Sequence, residues 1–173
     1  GKTVQALAWL LHRKGEGPGR VVAPASVCRK WKKEAKRFAP ELKPYFYNEE
    51  GRKERLEKLE PDHLLVITYG LMQQDIEALE KISFGTIILD EAQAIKNRTA
   101  KRTKAAMRLD GKFRMVTTGT PIENHLSELW SLFQFINPGL LGSHQHFTDK
   151  FILPIERDKN REVRDSLRKL IQP

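Results

Sequence analysis

Three stretches of this chain bring together residue types that can do chemistry on a phosphate. Gly1-Lys2-Thr3 heads an amphipathic helix and matches the closing half of the pattern G-x-x-x-x-G-K-[ST]. In that pattern, backbone amides at a helix N-terminus and a lysine ammonium neutralise phosphate oxygens, while the threonine hydroxyl ligates Mg2+. Asp90-Glu91-Ala92-Gln93 follows the apolar run Ile87-Ile88-Leu89 directly, with Asp90 88 positions after Lys2. Two adjacent carboxylates at the mouth of a buried strand are costly unless a cation or a substrate uses them. Thr117-Thr118-Gly119-Thr120-Pro121 closes the next apolar run with a hydroxyl-rich turn, which can sense a phosphate site and pass on its state. Each stretch also has a plain alternative. These are a chance tripeptide, a helix N-terminus whose acidic residues suit its dipole, and a polar turn stopped by proline.

The elements that must position these residues alternate between strand and helix. Val4, Leu7, Ala8 and Leu11 recur at helical spacing, and Gly15-Glu16-Gly17-Pro18-Gly19 ends that helix. A short buried strand over 20–23 runs into Pro24. A helix over 27–38 puts Val27, Trp31, Ala35 and Phe38 on one face and Arg29, Lys30, Lys32, Lys33, Lys36 and Arg37 on the other. Residues 42–47 form a strand that Pro44 confines to an edge or a start. A charged surface helix is expected over 49–60, a buried strand over 64–67 and a helix over 71–81. Further strands fall at 86–89 and 113–117, with a basic helix over 99–109 between them. Leu126, Leu129, Trp130, Phe133 and Ile136 mark an amphipathic helix, and beyond Asn137-Pro138-Gly139 the chain turns charged and helical over 144–171.

Strands apolar on both faces and separated by helices predict an α/β fold: a mainly parallel sheet covered on both sides, followed by a helical C-terminal extension. Residues 1–141 form the lobe and 142–173 the extension. Ligands of such sheets sit at the carboxyl ends of the strands, where all three stretches lie. In this order a P-loop enzyme needs an acidic residue on a neighbouring strand. Asp90 would hold the Mg2+ shell through water, and Glu91 would orient and deprotonate an attacking water.

The 173 residues are 39% apolar, 31% charged and 8% aromatic, enough for one core and too apolar for disorder. A single cysteine, Cys28, excludes a disulfide scaffold and reads as core. The longest apolar run, 6–11, falls far short of the ~20 residues of a spanning helix. The expectation is an intracellular chain without membrane contact, in cytoplasm or nucleoid if prokaryotic and in the nucleus otherwise. Opening on Gly1-Lys2-Thr3 without Met, it reads as a piece whose first strand and first loop glycine lie before Gly1. His144 and His146 lack further partners for a zinc site. Trp9, Trp31, Trp130, Met72 and Met115 sit among aliphatics and are expected in the core.

The formal net charge of +9 is concentrated in two strips. Residues 29–43 hold seven basic and two acidic residues, and residues 96–114 hold eight basic residues against Asp110. Such runs are either solvated helix faces or a track for a polyanion.

Taken together, GKT, VVAPASVCRKWKKEAKRFAP, LLVITYG, ILDEAQAIKN and VTTGTPIENHLSELWSLFQFINPGLLG resemble motifs I, Ia, Ib, II and III of the Swi/Snf-type DNA translocases of helicase superfamily two. The resemblance covers nearly the whole chain. It implies a RecA-like ATPase lobe, in a DNA-stimulated enzyme that uses ATP and Mg2+, walks along duplex DNA without reading its sequence and remodels protein–DNA complexes. By the same resemblance Gly1, Lys2 and Thr3 bind ATP, and Thr3 and Asp90 serve the Mg2+. Glu91 and Gln93 act in hydrolysis, with Gln93 standing where many members have His. Thr118, Gly119 and Thr120 couple the nucleotide to the DNA. Ser26, Arg29, Thr68, Tyr69, Lys96, Asn97 and Arg98 are the implied DNA contacts. A second lobe would supply arginine fingers, so this chain alone should hydrolyse ATP poorly. Two competing readings are a strand-separating helicase of the same superfamily and an inactive DNA-binding module.

Overall fold

The structure, a computed structural model, describes residues 1–48, 50–119 and 125–172. Five strands, β1 (Gly19–Ala23), β2 (Lys43–Phe46), β3 (His63–Thr68), β4 (Ser83–Leu89) and β5 (Asp110–Val116), form one parallel sheet in the order β2-β3-β1-β4-β5. The central strands are apolar at successive positions because both faces are covered. With the period of two, Val22, Leu65, Ile67, Ile87 and Leu89 enter one core, and Val21, Ala23, Leu64, Val66 and Ile88 enter the other. β2 takes an edge, where Pro44 leaves no central ladder bond unmade.

The second core is closed by α1 (Lys2–His12) and α2 (Ala25–Phe38). The first is closed by α3 (Tyr69–Gln74), α4 (Ile76–Leu79), α5 (Lys101–Met107) and the C-terminal half of α6 (Leu126–Ile136). The N-terminal half of α6 packs in a third cluster with α7 (His144–Phe147), a π-type helical stretch Thr148–Arg157 and α8 (Arg161–Ile171). No helix among the described residues is long and apolar enough to cross a membrane.

Several expected elements differ in detail. The buried arc of α1 is Ala6, Leu7 and Leu10, while Val4 is exposed. Trp9 is a correction too: it is 44% exposed and stacks on Phe113 of β5, centroids 5.4 Å apart, with the Arg13 guanidinium 4.7 Å from that ring. Helical spacing marks a face but not where a short helix meets the end of the sheet. Phe38, at the last turn of α2, is likewise exposed. The charged helix expected over 49–60 is replaced, within 50–60, by turns and a short 3-10 segment, Glu54–Lys58. Gly51 has φ +70, a conformation that stops a helix, and Arg52 and Lys53 are drawn to the buried Asp75 carboxylate at 2.7 and 3.3 Å. The helix expected over 71–81 starts two residues earlier and breaks at Asp75 into α3 and α4.

β1 carries one unexpected passenger. Arg20 is fully buried, its guanidinium 3.7 Å from the centre of the Phe84 ring, with one long bond to the Leu79 carbonyl oxygen at 3.4 Å. Burial lowers its pKa to about 9.

Candidate functional site

β4 delivers the acidic pair to the carboxyl edge. Asp90 extends its ladder by one bond, donating its N–H to the Val22 carbonyl oxygen of β1 at 2.8 Å. The chain then turns sharply: Glu91 has φ 50 and ψ 53, the left-handed region. A non-glycine residue there costs roughly 1–3 kcal/mol and persists only where neighbours over-determine it. The Glu91 N–H donates to Asp90 Oδ1 at 2.9 Å, and the Ala92 N–H to the Thr117 carbonyl oxygen at 2.9 Å. Gln93 Nε2 donates to Glu91 Oε2 at 2.7 Å. The strained turn thereby fixes one carboxylate against the strand end and aims the next away from it.

Asp90 is the most heavily supported side chain of the site. Besides the Glu91 amide, Oδ1 accepts from the Thr117 hydroxyl, and Oδ2 accepts from Trp31 Nε1 at 2.8 Å. Its backbone oxygen accepts from the Tyr69 hydroxyl at 2.8 Å. Burial and the nearby Asp90 both push the Tyr69 hydroxyl pKa up, which keeps it a donor. Cys28, buried on α2, is raised to about 11 for the same two reasons and is an inert thiol.

The end of β5 closes the ring. Thr118 Oγ1 donates to Gln93 Oε1 at 3.1 Å, so Gln93 bridges Glu91 and the β5 turn through its two amide atoms. Lys2, exposed at the start of α1, donates from Nζ to the Thr118 carbonyl oxygen at 2.6 Å. A Cβ on Gly119 would stand 3.5 Å from Glu91 Oε2 and 3.9 Å from Lys2 Nζ, so this turn lies against both. Gly1, Lys2, Glu91, Gln93, Thr118 and Gly119 thus converge on one edge, with Thr3 half-buried on the first turn of α1. Thr120 lies outside the described residues.

Beside this edge run the basic residues. Arg29, Lys32, Lys33 and Lys36 of α2 line a cavity of about 660 Å³ with Phe46, Asn48 and Thr68 at the ends of β2 and β3. Ser26, Arg29, Lys96, Asn97 and Arg98 are exposed. Asn97 Oδ1 is engaged by the Thr99 N–H and hydroxyl at 3.0 and 2.8 Å, and Thr68 Oγ1 caps α3 by accepting from the Leu71 N–H. Tyr69 is buried and its hydroxyl donates to the Asp90 carbonyl oxygen. His144 pairs Nε2 with Ser127 Oγ at 3.0 Å and packs edge-on against Trp130.

Sequence reasoning did not foresee Trp31 and Thr117 as partners of Asp90. The available signal was the indole itself: a tryptophan on the buried face of a basic helix needs an acceptor for its N–H.

A lysine at a helix N-terminus facing an acidic strand end across a parallel sheet is the arrangement of a RecA-like nucleotide-binding lobe. The SNF2-related domain model matches residues 1–173, and the chain belongs to that family. It is 38% identical over 180 residues to YwqA of Bacillus subtilis, covering all of this chain and 20% of that protein. It is 40% identical over 172 residues to the chromatin-remodeling ATPase INO80 of Candida albicans, covering 90% of this chain and 12% of that one. Among solved structures, the Sulfolobus solfataricus SWI2/SNF2 ATPase core in complex with dsDNA superposes with a TM-score of 0.89 at 37% identity, over 99% of this chain and 36% of the other. The chain therefore spans a fifth or less of these curated relatives and about a third of the solved core.

Proposed function

We propose that this chain is the ATP-binding first lobe of a motor that hydrolyses ATP, tracks duplex DNA without reading its sequence, and thereby remodels protein–DNA complexes. The observation that carries the reading is the Lys2–Thr118–Gln93–Glu91 chain of contacts, which ties the phosphate-binding helix to the acidic strand end at one edge of the sheet. Residues 1–141 constitute the lobe, and 142–173 lead towards a second lobe that closes the cleft and supplies further cations. The chain alone turns ATP over slowly, and its work is done inside the cell.

The donor set fits Mg2+: a threonine hydroxyl and a carboxylate are hard oxygen ligands. Both Asp90 oxygens already accept protein hydrogen bonds, which suits a carboxylate that reaches the ion through water. Thr3 and Asp90 would hold the ion, which when bound screens the phosphate charge and polarises the γ-phosphoryl group. Lys2 leaves the Thr118 carbonyl to bind phosphate oxygens. Glu91 orients the attacking water and takes its proton, with Gln93 fixing the carboxylate's direction. Thr118, Gly119 and Thr120 report the phosphate state, and Ser26, Arg29, Thr68, Lys96, Asn97 and Arg98 meet the DNA backbone. The dsDNA-bound Sulfolobus neighbour supports the choice of duplex, and the SNF2 relatives support ATP as fuel.

The test is ATPase activity with and without duplex DNA, in a protein that carries this chain together with a second lobe. Duplex should raise the rate several-fold, Lys2→Ala and Glu91→Gln should abolish it, and absence of any stimulation by duplex would defeat the translocase reading.

A further inference from the structure

The two basic strips are wired to the same residue, Asp90, by aromatic side chains, one through its carboxylate and one through its backbone carbonyl. From the first strip, α2 exposes Arg29, Lys30, Lys32 and Lys33 on its outer face, while the residue between them, Trp31, is 1% exposed and donates its indole N–H to Asp90 Oδ2. From the second strip, Arg102 on α5 lies 5.6 Å from the centre of the Tyr69 ring, whose hydroxyl donates to the Asp90 carbonyl oxygen. Trp31 is rigid, fully packed and polar only at its tip, so a shift of α2 must move the donor relative to Asp90.

We infer that Trp31 is a positioning residue that carries engagement of the α2 basic face to the Asp90 carboxylate, with the Arg102–Tyr69 pair acting on the same residue from α5. This rests on the proposed duplex-DNA reading and adds to it the route by which DNA sets the geometry of the acid. A hydrogen bond to a charged acceptor is strong enough for such a role, because its loss changes an equilibrium by about tenfold or more. Neither aromatic touches the reacting atoms. Their effect is on where Asp90 stands.

Trp31→Phe keeps an aromatic ring in the core and deletes the donor, and Tyr69→Phe deletes one hydroxyl with no change of shape. In a two-lobed protein carrying this chain, Trp31→Phe should bring the ratio of duplex-stimulated to DNA-free ATPase from its several-fold value down to about 1. Its affinity for a fluorescein-labelled duplex, read by anisotropy, should change less than about twofold. Tyr69→Phe should lower the same ratio by a smaller factor. A second readout needs no nucleotide, metal or substitution: the Trp31 indole 1H–15N resonance should shift when duplex is added to the unsubstituted protein. An unchanged stimulation ratio in Trp31→Phe overturns the inference, as does an equal loss of stimulated and DNA-free rates or an indole resonance indifferent to bound duplex. If the unsubstituted protein binds no duplex, the DNA reading itself fails and takes this route with it, an outcome the anisotropy distinguishes from the others.

Discussion

Lys2 and Thr118 stand 116 residues apart in the chain, and the lysine ammonium donates to the threonine carbonyl oxygen at 2.6 Å. The contact joins the first turn of α1 to the turn after β5 and holds the cation beside Gly119 and Glu91. The partner is a neutral carbonyl, so an incoming phosphate exchanges one acceptor for a charged one. Lys2→Ala should weaken binding of a fluorescent ATP analogue by about tenfold or more while leaving the melting temperature within a few degrees. Binding at unchanged affinity would remove Lys2 from the site.

Glu91 and Gln93 should separate binding from hydrolysis. Glu91→Gln preserves the hydrogen-bonding shape but cannot take a proton, so the rate should fall by about 100-fold or more with little change in nucleotide affinity. Gln93→Ala frees the Glu91 carboxylate and cuts its link to Thr118, and should reduce duplex stimulation more than nucleotide binding. Steady-state rates alongside direct binding measurements check both.

The basic wall of the α2 cavity should be a phosphate track. Replacing Lys32, Lys33 and Lys36 together by Ala should weaken duplex binding and reduce the slope of log K against log salt by about 1 for each phosphate no longer neutralised. The weakening should be equal for duplexes of unrelated sequence. A slope that does not change would mark these lysines as a solvated face.

Asp75 supplies a prediction about stability. Burial works to raise its pKa, but hydrogen bonds from Arg52 and Lys53 outweigh it and hold the carboxyl below its ordinary value. A depressed carboxylate stabilises the fold above its unfolded value near ~3.9 and loses that contribution as pH falls through the folded value. Asp75→Asn should therefore cost about 1–3 kcal/mol at neutral pH, and the gap from the unsubstituted protein should narrow towards about pH 3. Urea titrations at the two pH values measure it, and a gap independent of pH would mean that the charge is not the source.

Read from sequence, the chain already discloses its architecture and the short stretches that meet at one edge of the sheet. Gly1-Lys2-Thr3, Asp90-Glu91-Ala92-Gln93 and Thr117-Thr118-Gly119 are local patterns of the residue types that the proposed phosphate and metal chemistry would use. The doubly apolar runs of β1, β3 and β4 announce a sheet buried on both faces, and Pro44 announces an edge. These are legible because they depend on neighbours within a few residues. What required the tertiary structure depends on partners far along the chain. The 50–60 segment is shaped by Asp75 more than by its own helix-like composition. Trp9 lies over Phe113 of the edge strand instead of entering the core, Phe38 is exposed at the last turn of α2, and Tyr69 turns inward to an oxygen 21 residues away. Spacing alone could place Trp31 in the core. Only folding, which brings β4 beneath α2, could hand its N–H to Asp90, 59 residues on, because hydrogen-bond partners are chosen by proximity in space.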